Sequence, residues 1–216
     1  MDSADVLIMA AGKGERFGDR KQFLKFGEAT AVNIAVELFK KVEGISNIFV
    51  VYPPDMTEEE FMEEGKPGED AIMVRGGILR EESVKNGLEK VESDYVLIHD
   101  AARPACTEGL VRRVRDAAAE YGAAVPGINP ASTINYIENG NIRILDRNRV
   151  YFIQTPQCYK TSEITTAYND RKKNGYTDSS AVAREAGIEV KLVEGEARNI
   201  KITYRDDYQY LKEVLK

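Results

Sequence analysis

The sequence predicts an α/β fold: a mostly parallel central sheet with helices on both faces. Two observations carry that prediction. Short apolar runs alternate with segments of helical periodicity along the 216 residues. Runs such as Val6-Leu-Ile-Met9 and Tyr95-Val-Leu-Ile98 are apolar throughout rather than alternating. Strands covered on both faces have this character.

Taken in order, the first strand is Val6–Met9, and Ala31–Lys41 follows with apolar positions at three- and four-residue spacing, the mark of an amphipathic helix. Strands are expected at Ile48–Tyr52 and Ala71–Val74, then a helix over Ser83–Val91. The strand Tyr95–His99, the helix Leu110–Tyr121 and a short strand at Ala123–Val125 continue the alternation. Thr133–Glu138 and Asn141–Leu145 break it. They alternate apolar and polar residues around Asn139-Gly140, the strongest short-range hairpin signal. A hairpin with little core of its own must pack on something. A flap on its own subunit and an arm exchanged in a two-fold dimer both fit, and the arm is favoured. Helices Ile164–Lys173, Ser179–Ala186 and Tyr208–Leu215 complete the set. Residues 1–216 thus read as one domain with an excursion at about 131–150.

Composition narrows the function. The net charge of −6 argues against broad nucleic-acid binding. No apolar run approaches a membrane span, and the acids Asp2 and Asp5 leave no basic leader region. Cys106 and Cys158 fit no metal or redox spacing, so they are expected to be reduced, partly buried thiols of a cytoplasmic protein.

The first strand runs into Ala10-Ala-Gly12-Lys-Gly14-Glu-Arg16-Phe-Gly18-Asp-Arg20-Lys21. Gly12 and Gly14 can adopt positive φ and let backbone amides approach an anion. Residues 13–25 hold five cations (Lys13, Arg16, Arg20, Lys21, Lys25) against Glu15 and Asp19, an excess of three in an acidic chain. A plain turn with a charged lip is the alternative, and the local excess favours a phosphate cradle. The P-loop pattern fails because Gly14 follows Lys13. The dinucleotide fingerprint fails because the third glycine, Gly18, comes one residue late, which also counts against a Rossmann oxidoreductase.

Gly76-Gly77-Ile-Leu-Arg80-Glu-Glu-Ser83 opens a helix after a strand. Ser83 could be its N-cap, or the glycine pair and cation could line a base and ribose. His99-Asp100-Ala101-Ala102-Arg103-Pro104 places an Asp at a buried strand end. There it could hold a divalent ion shared with phosphate oxygens, with Arg103 forking onto a phosphate. An Asp–Arg pair tying a loop together is the alternative. His99, the only histidine, is read as structural. In Asn199-Ile-Lys201-Ile-Thr203, Lys201 shares a strand face with Asn199 and Thr203. That face suggests a lined cavity, unless Lys201 guards a sheet edge.

With Asp146-Arg147, Thr155-Pro156-Gln157 and Thr177-Asp178, these motifs resemble, in order and almost end to end, the 2-C-methyl-D-erythritol 4-phosphate cytidylyltransferases of non-mevalonate isoprenoid synthesis. The resemblance implies a Rossmann-like nucleotidyltransferase fold whose hairpin arm interlocks a homodimer. It implies CTP, Mg²⁺ or another divalent cation, and a polyol phosphate as ligands. By similarity Arg16 and Lys21 stabilise the transition state, while Lys201 and the partner's Arg147 hold the polyol phosphate. Asp100, Arg103, Thr133, Thr155 and Thr177 line the substrate pocket. Ala10, Ala11, Gly12, Lys13, Gly14, Gly77, Arg80, Ser83, Asp100 and Ala101 receive the nucleotide. One departure stands out: Val125-Pro126-Gly-Ile-Asn-Pro-Ala131 is longer than the family's arm root, with Ala131 where an aspartate is expected. Relatives acting on ribitol phosphate bear a bulkier residue where this chain has Ala102. A non-catalytic nucleotide module on the same fold has less need of both Arg16 and Lys21.

Overall fold

The computed structural model describes residues 3–171 and 173–216; Asp2 and position 172 of the expected Ile164–Lys173 helix lie outside the described residues. In chain order the elements begin β1 (Ala4–Met9), β2 (Lys25–Phe26), β3 (Ala29–Thr30), α1 (Ala31–Lys40), β4 (Ile45–Tyr52) and α2 (Glu58–Gly65). Next come β5 (Ala71–Arg75), α3 (Arg80–Leu88), β6 (Tyr95–Asp100), α4 (Glu108–Tyr121) and β7 (Ala123–Ile128). The hairpin β8 (Ile134–Glu138) and β9 (Asn141–Leu145) leads to β10 (Phe152–Ile153), β11 (Gln157–Lys160) and α5 (Thr161–Asn169). The chain closes with α6 (Ser179–Glu185), β12 (Lys191–Glu194) and α7 (Arg205–Val214).

The central sheet has the order β10-β7-β11-β6-β1-β4-β5, with β12 also on β7. β6, β1, β4 and β5 are mutually parallel neighbours, and β7 pairs in parallel with β12, while β10 and β11 run antiparallel to their partners. The doubly apolar strands do what their composition demands. Val6 and Ile8 of β1 enter a core with Val36 and Phe39 of α1 and Leu110 and Val114 of α4. Leu7 points to the opposite face, into a second core with Val84 of α3 and Ile164 and Val182 of α5 and α6. Asp5, buried at the amino end of β1, accepts from Asn47 N, Glu92 N and Ser93 N at 3.0–3.1 Å, tying that end of the sheet together.

Helix starts are written in the side chains. Thr30 accepts from Asn33 N at 3.2 Å, and Thr107 from Leu110 N at 3.1 Å. Thr57 and Glu60 form a reciprocal capping box that starts α2, a helix the apolar periodicity did not predict. Asn139 and Gly140 turn the hairpin with φ of +49° and +78°, as a two-residue type I′ loop requires. The expected strand over Asn199–Thr203 is not formed. That segment joins no strand, and its bonds go to loop backbone and side chains, such as Ile202 N to Ala102 O at 2.9 Å, rather than to a ladder.

Candidate active site

Because β6, β1, β4 and β5 are parallel neighbours, the loops at their carboxyl ends converge. They enclose a cleft of about 840 Å³, a size suited to a nucleotide. Ala10, Ala11, Gly12, Lys13, Gly14, Arg16 and Lys21 line it from the loop after β1. Gly77, Arg80 and Ser83 come from the β5–α3 junction, Asp100 and Ala101 from the end of β6. Lys201 arrives from the loop before α7, 180 residues from Lys21, and opens onto the same cleft.

The cationic loop owes its shape to Gly14 more than to Gly12. Gly14 has φ of +72°, and a Cβ there would sit 1.8 Å from the Asp19 carbonyl oxygen. Gly12, expected to adopt positive φ, does not; the left-handed positions are Gly14 and Gly18. Nor does Arg20 serve the cleft, since its guanidinium pairs with Asp55 at 2.9 Å. Ser83 is not the N-cap of α3, a position held by Leu79. Instead its buried hydroxyl accepts from Gly77 N at 3.0 Å and donates to Leu79 O at 3.1 Å, setting the glycine pair against the helix.

Asp100 is the electrostatic centre. Its carboxylate accepts from Lys201 Nζ at 2.7 Å, with Arg80 at 3.9 Å and Arg103 at 4.0 Å. Burial alone would raise its pKa, but the charges of Lys201, Arg80 and Arg103 outweigh it and hold the carboxyl well below the usual range. Lys21 shows the opposite balance: burial, then the like charges of Lys201 and Arg16, lower its ammonium pKa. Three cations from two distant segments therefore feel one another in one cleft. His99, directly behind, has its pKa pushed down to about 4 by burial and touches Thr155 Oγ1 through Nδ1 at 3.1 Å. It is a core residue, as the sequence suggested.

Among the described residues no three His, Cys, Asp or Glu side chains gather to hold a metal. One ionised carboxylate beside space for phosphates is nevertheless a fitting hard-oxygen donor for a cation shared with a nucleotide. Asp100 has the charge and position such a donor would need.

The model of the 2-C-methyl-D-erythritol 4-phosphate cytidylyltransferase (IspD) family matches residues 4–216. The chain belongs to this family. A 2-C-methyl-D-erythritol 4-phosphate cytidylyltransferase of Geobacillus thermodenitrificans is 33% identical over 98% of the chain and 96% of its own length. That of Endomicrobium trichonymphae is 34% identical over 98% of each. The crystal structure of the Thermus thermophilus enzyme superposes with a TM-score of 0.83 at 31% identity, covering 100% of this chain and 99% of that one. The structure of 4-diphosphocytidyl-2C-methyl-D-erythritol synthase from Anaerococcus prevotii gives 0.85 at 27% identity, covering 99% and 96%.

Five residues expected at the site of this cytidylyltransferase-family chain do not line its cleft. Arg103 lies behind Asp100, and its two terminal nitrogens close on backbone carbonyls, Asn199 O at 2.8 Å and Ile153 O at 3.3 Å, rather than forking outward. Thr155 is buried, its hydroxyl receiving Asp100 N at 3.0 Å. Thr177 is exposed just before α6. Thr133 and Arg147 stand on the exposed hairpin arm, where Arg147 Nη1 donates to Ala131 O at 2.9 Å. Asn129, in the unusual root, staples both ends of the arm by donating to Arg147 O at 3.3 Å and Val150 O at 2.9 Å. The sequence reading missed a buried polar bridge beneath Arg80. Ser179 accepts from Arg80 at 3.3 Å and from the Tyr168 hydroxyl at 2.9 Å, and Asp178 accepts from Gln157 at 2.6 Å. Only the pairing of Thr177-Asp178 with Thr155-Pro-Gln157 hinted at it.

Proposed function

We propose that this chain transfers CMP from CTP to 2-C-methyl-D-erythritol 4-phosphate, releasing pyrophosphate and forming 4-diphosphocytidyl-2-C-methyl-D-erythritol. The observation that carries this reading is the convergence of Lys21, Arg16 and Lys201 with Asp100 on one cleft. The acceptor's phosphate oxygen forms a bond to the α-phosphorus as the bond to the bridging oxygen breaks, and its electron pair leaves with pyrophosphate. A phosphate monoester is largely ionised at neutral pH, its second pKa being about 6, so no general base is needed. His99, neutral and buried, takes no part.

Charge grows on the α-phosphate oxygens and on the leaving group, where Lys21 and Arg16 stand ready. Lys201 meets the acceptor phosphate and offsets the repulsion between two anions. Mg²⁺, or another divalent cation, held by Asp100 and the triphosphate would neutralise phosphate charge. The glycine pair at Gly76-Gly77, buttressed by Ser83, takes the base and ribose. Arg147 and Thr133 are read as contributions from a partner subunit. Support comes from the arm itself: Ile137, Ile142 and Ile144 share one face of the hairpin and are 70–76% exposed. We place the homodimer in the cytoplasm, a setting that suits two free, buried thiols. Ala102 lines the cleft with a small side chain, which favours methylerythritol phosphate over ribitol 5-phosphate as acceptor.

Incubating the protein with CTP, Mg²⁺ and either acceptor, and measuring pyrophosphate, tests this directly. Release is expected with methylerythritol phosphate and not with ribitol 5-phosphate or CTP alone. Lys21→Ala and Lys201→Ala should each slow turnover by about 10²–10³-fold while staying folded. A folded Lys201→Ala protein with near-normal turnover would refute the role given to that ammonium.

A further inference from the structure

The catalytic reading needs Arg16 and Lys201 at a fixed separation, yet each sits on a loop and neither is locked by the sheet. What sets the spacing is a third hydrophobic cluster, separate from the two that cover the sheet. Phe17, Phe26, Ala105, Ile202 and Leu211 form it, with Tyr208 packed alongside. Phe17 and Ile202 follow Arg16 and Lys201 directly in sequence, and both are buried, at 4% and 0% exposure. Each cation is thus tethered by the very next side chain to one common apolar knot.

Helix α7 draws the knot closed. The Phe17 ring meets Tyr208 edge-on at 6.4 Å, and Arg205 of α7 lays its guanidinium over that ring at 4.4 Å. Tyr208 Oη donates to Lys25 O at 2.7 Å, beyond the far end of the cationic loop. Asp207 accepts from Thr203 N at 2.7 Å and Tyr204 N at 2.8 Å, holding the segment that leaves Lys201.

We propose that Phe17 is a positioning residue: its burial against Ile202 and α7 fixes the distance between Arg16 and Lys201 at the reacting phosphorus. Arg205 acts through Phe17 and touches neither substrate. The proposal rests on the catalytic reading above. A misplacement of about 1 Å can cost about 10²-fold in rate, so loosening this knot should act on turnover more than on nucleotide affinity.

The test measures kcat and KM for CTP by pyrophosphate release, with thermal melting beside it, in Phe17→Ala, Phe17→Leu and Arg205→Gln. Phe17→Ala should lower kcat about 30–100-fold with KM for CTP changed only a few-fold, and Phe17→Leu should recover most of the loss. In an Arg16→Ala background the same Phe17→Ala step should cost less than about threefold, because the cation that Phe17 tethers is gone. A folded Phe17→Ala with kcat within about threefold of the parent overturns the proposal, as does an undiminished penalty in the Arg16→Ala background. If Phe17→Ala does not fold, Arg205→Gln decides. It should lose about 3–10-fold in kcat at unchanged melting temperature, and an unchanged kcat overturns the proposal. Should Lys201→Ala itself prove fully active, the catalytic reading fails instead, and the two failures are told apart.

Discussion

Lys21 sits where burial and two neighbouring cations oppose its charge, and this has a kinetic signature. An ammonium with a lowered pKa discharges earlier than an ordinary lysine as pH rises. The alkaline limb of kcat/KM should therefore fall below the usual lysine range, and Lys21→Arg, which cannot discharge there, should move that limb upward even if it lowers the plateau. A pH–rate profile of both proteins checks this; coincident alkaline limbs would remove Lys21 from the free enzyme's titrating groups. Asp100 has the opposite role. Surrounded by Lys201, Arg80 and Arg103, it stays ionised through the working range and imposes no acid limb near neutrality. Lys201 gives one of its three N–H donors to Asp100 at 2.7 Å, which leaves others for an incoming phosphate.

The loop after β1 is a turn whose shape one residue dictates. Gly14→Ala would place a methyl carbon 1.8 Å from the Asp19 carbonyl at a φ of +72°, so the loop must rearrange. CTP affinity measured by titration calorimetry should drop at least about tenfold; Gly12→Ala, with open space around its Cβ, should be mild. The sequence pointed to both glycines equally, since spacing does not reveal φ. Strands β1, β4 and β6 were legible because strands buried on both faces read as apolar runs, and the edge strand β5, with Ile72 exposed, was legible from its short apolar run alone. The hairpin was legible because Asn-Gly leaves few alternatives. β10, β11 and β12 were not, being two to four residues long and mixed in character, as in Gln157-Cys-Tyr-Lys160. The start of α2 was written in Thr57 and Glu60, a signal that apolar periodicity passes over. At the site, residues adjoining a strand end fell into the cleft as expected. Arg103 and Thr155 lie behind the cleft lining, and a sequence motif does not say which backbone carbonyls and amides lie within reach.

Across the entire chain an excess of negative charge surrounds one positive cleft, a distribution that draws an anionic nucleotide to a single place. No arm residue lines that cleft, and the arm carries three bare isoleucines, with Arg147 at its root. If arms are exchanged, Arg147→Ala and Lys21→Ala damage different halves of each composite site. Mixing the two inactive proteins and allowing subunits to re-pair should restore roughly a quarter of parent activity through hybrids carrying one intact site. Pyrophosphate release before and after mixing reads this out, and no recovery despite demonstrated exchange would make the arm a flap on its own subunit. Such exchange can be followed by a means the fold already provides. Cys106 and Cys158 are buried, and burial pushes both thiols far toward the protonated, unreactive form. One cysteine introduced at the hairpin tip by Asn141→Cys would therefore accept a fluorophore alone, turning the ribbon into a molecular ruler without altering any native sulfur.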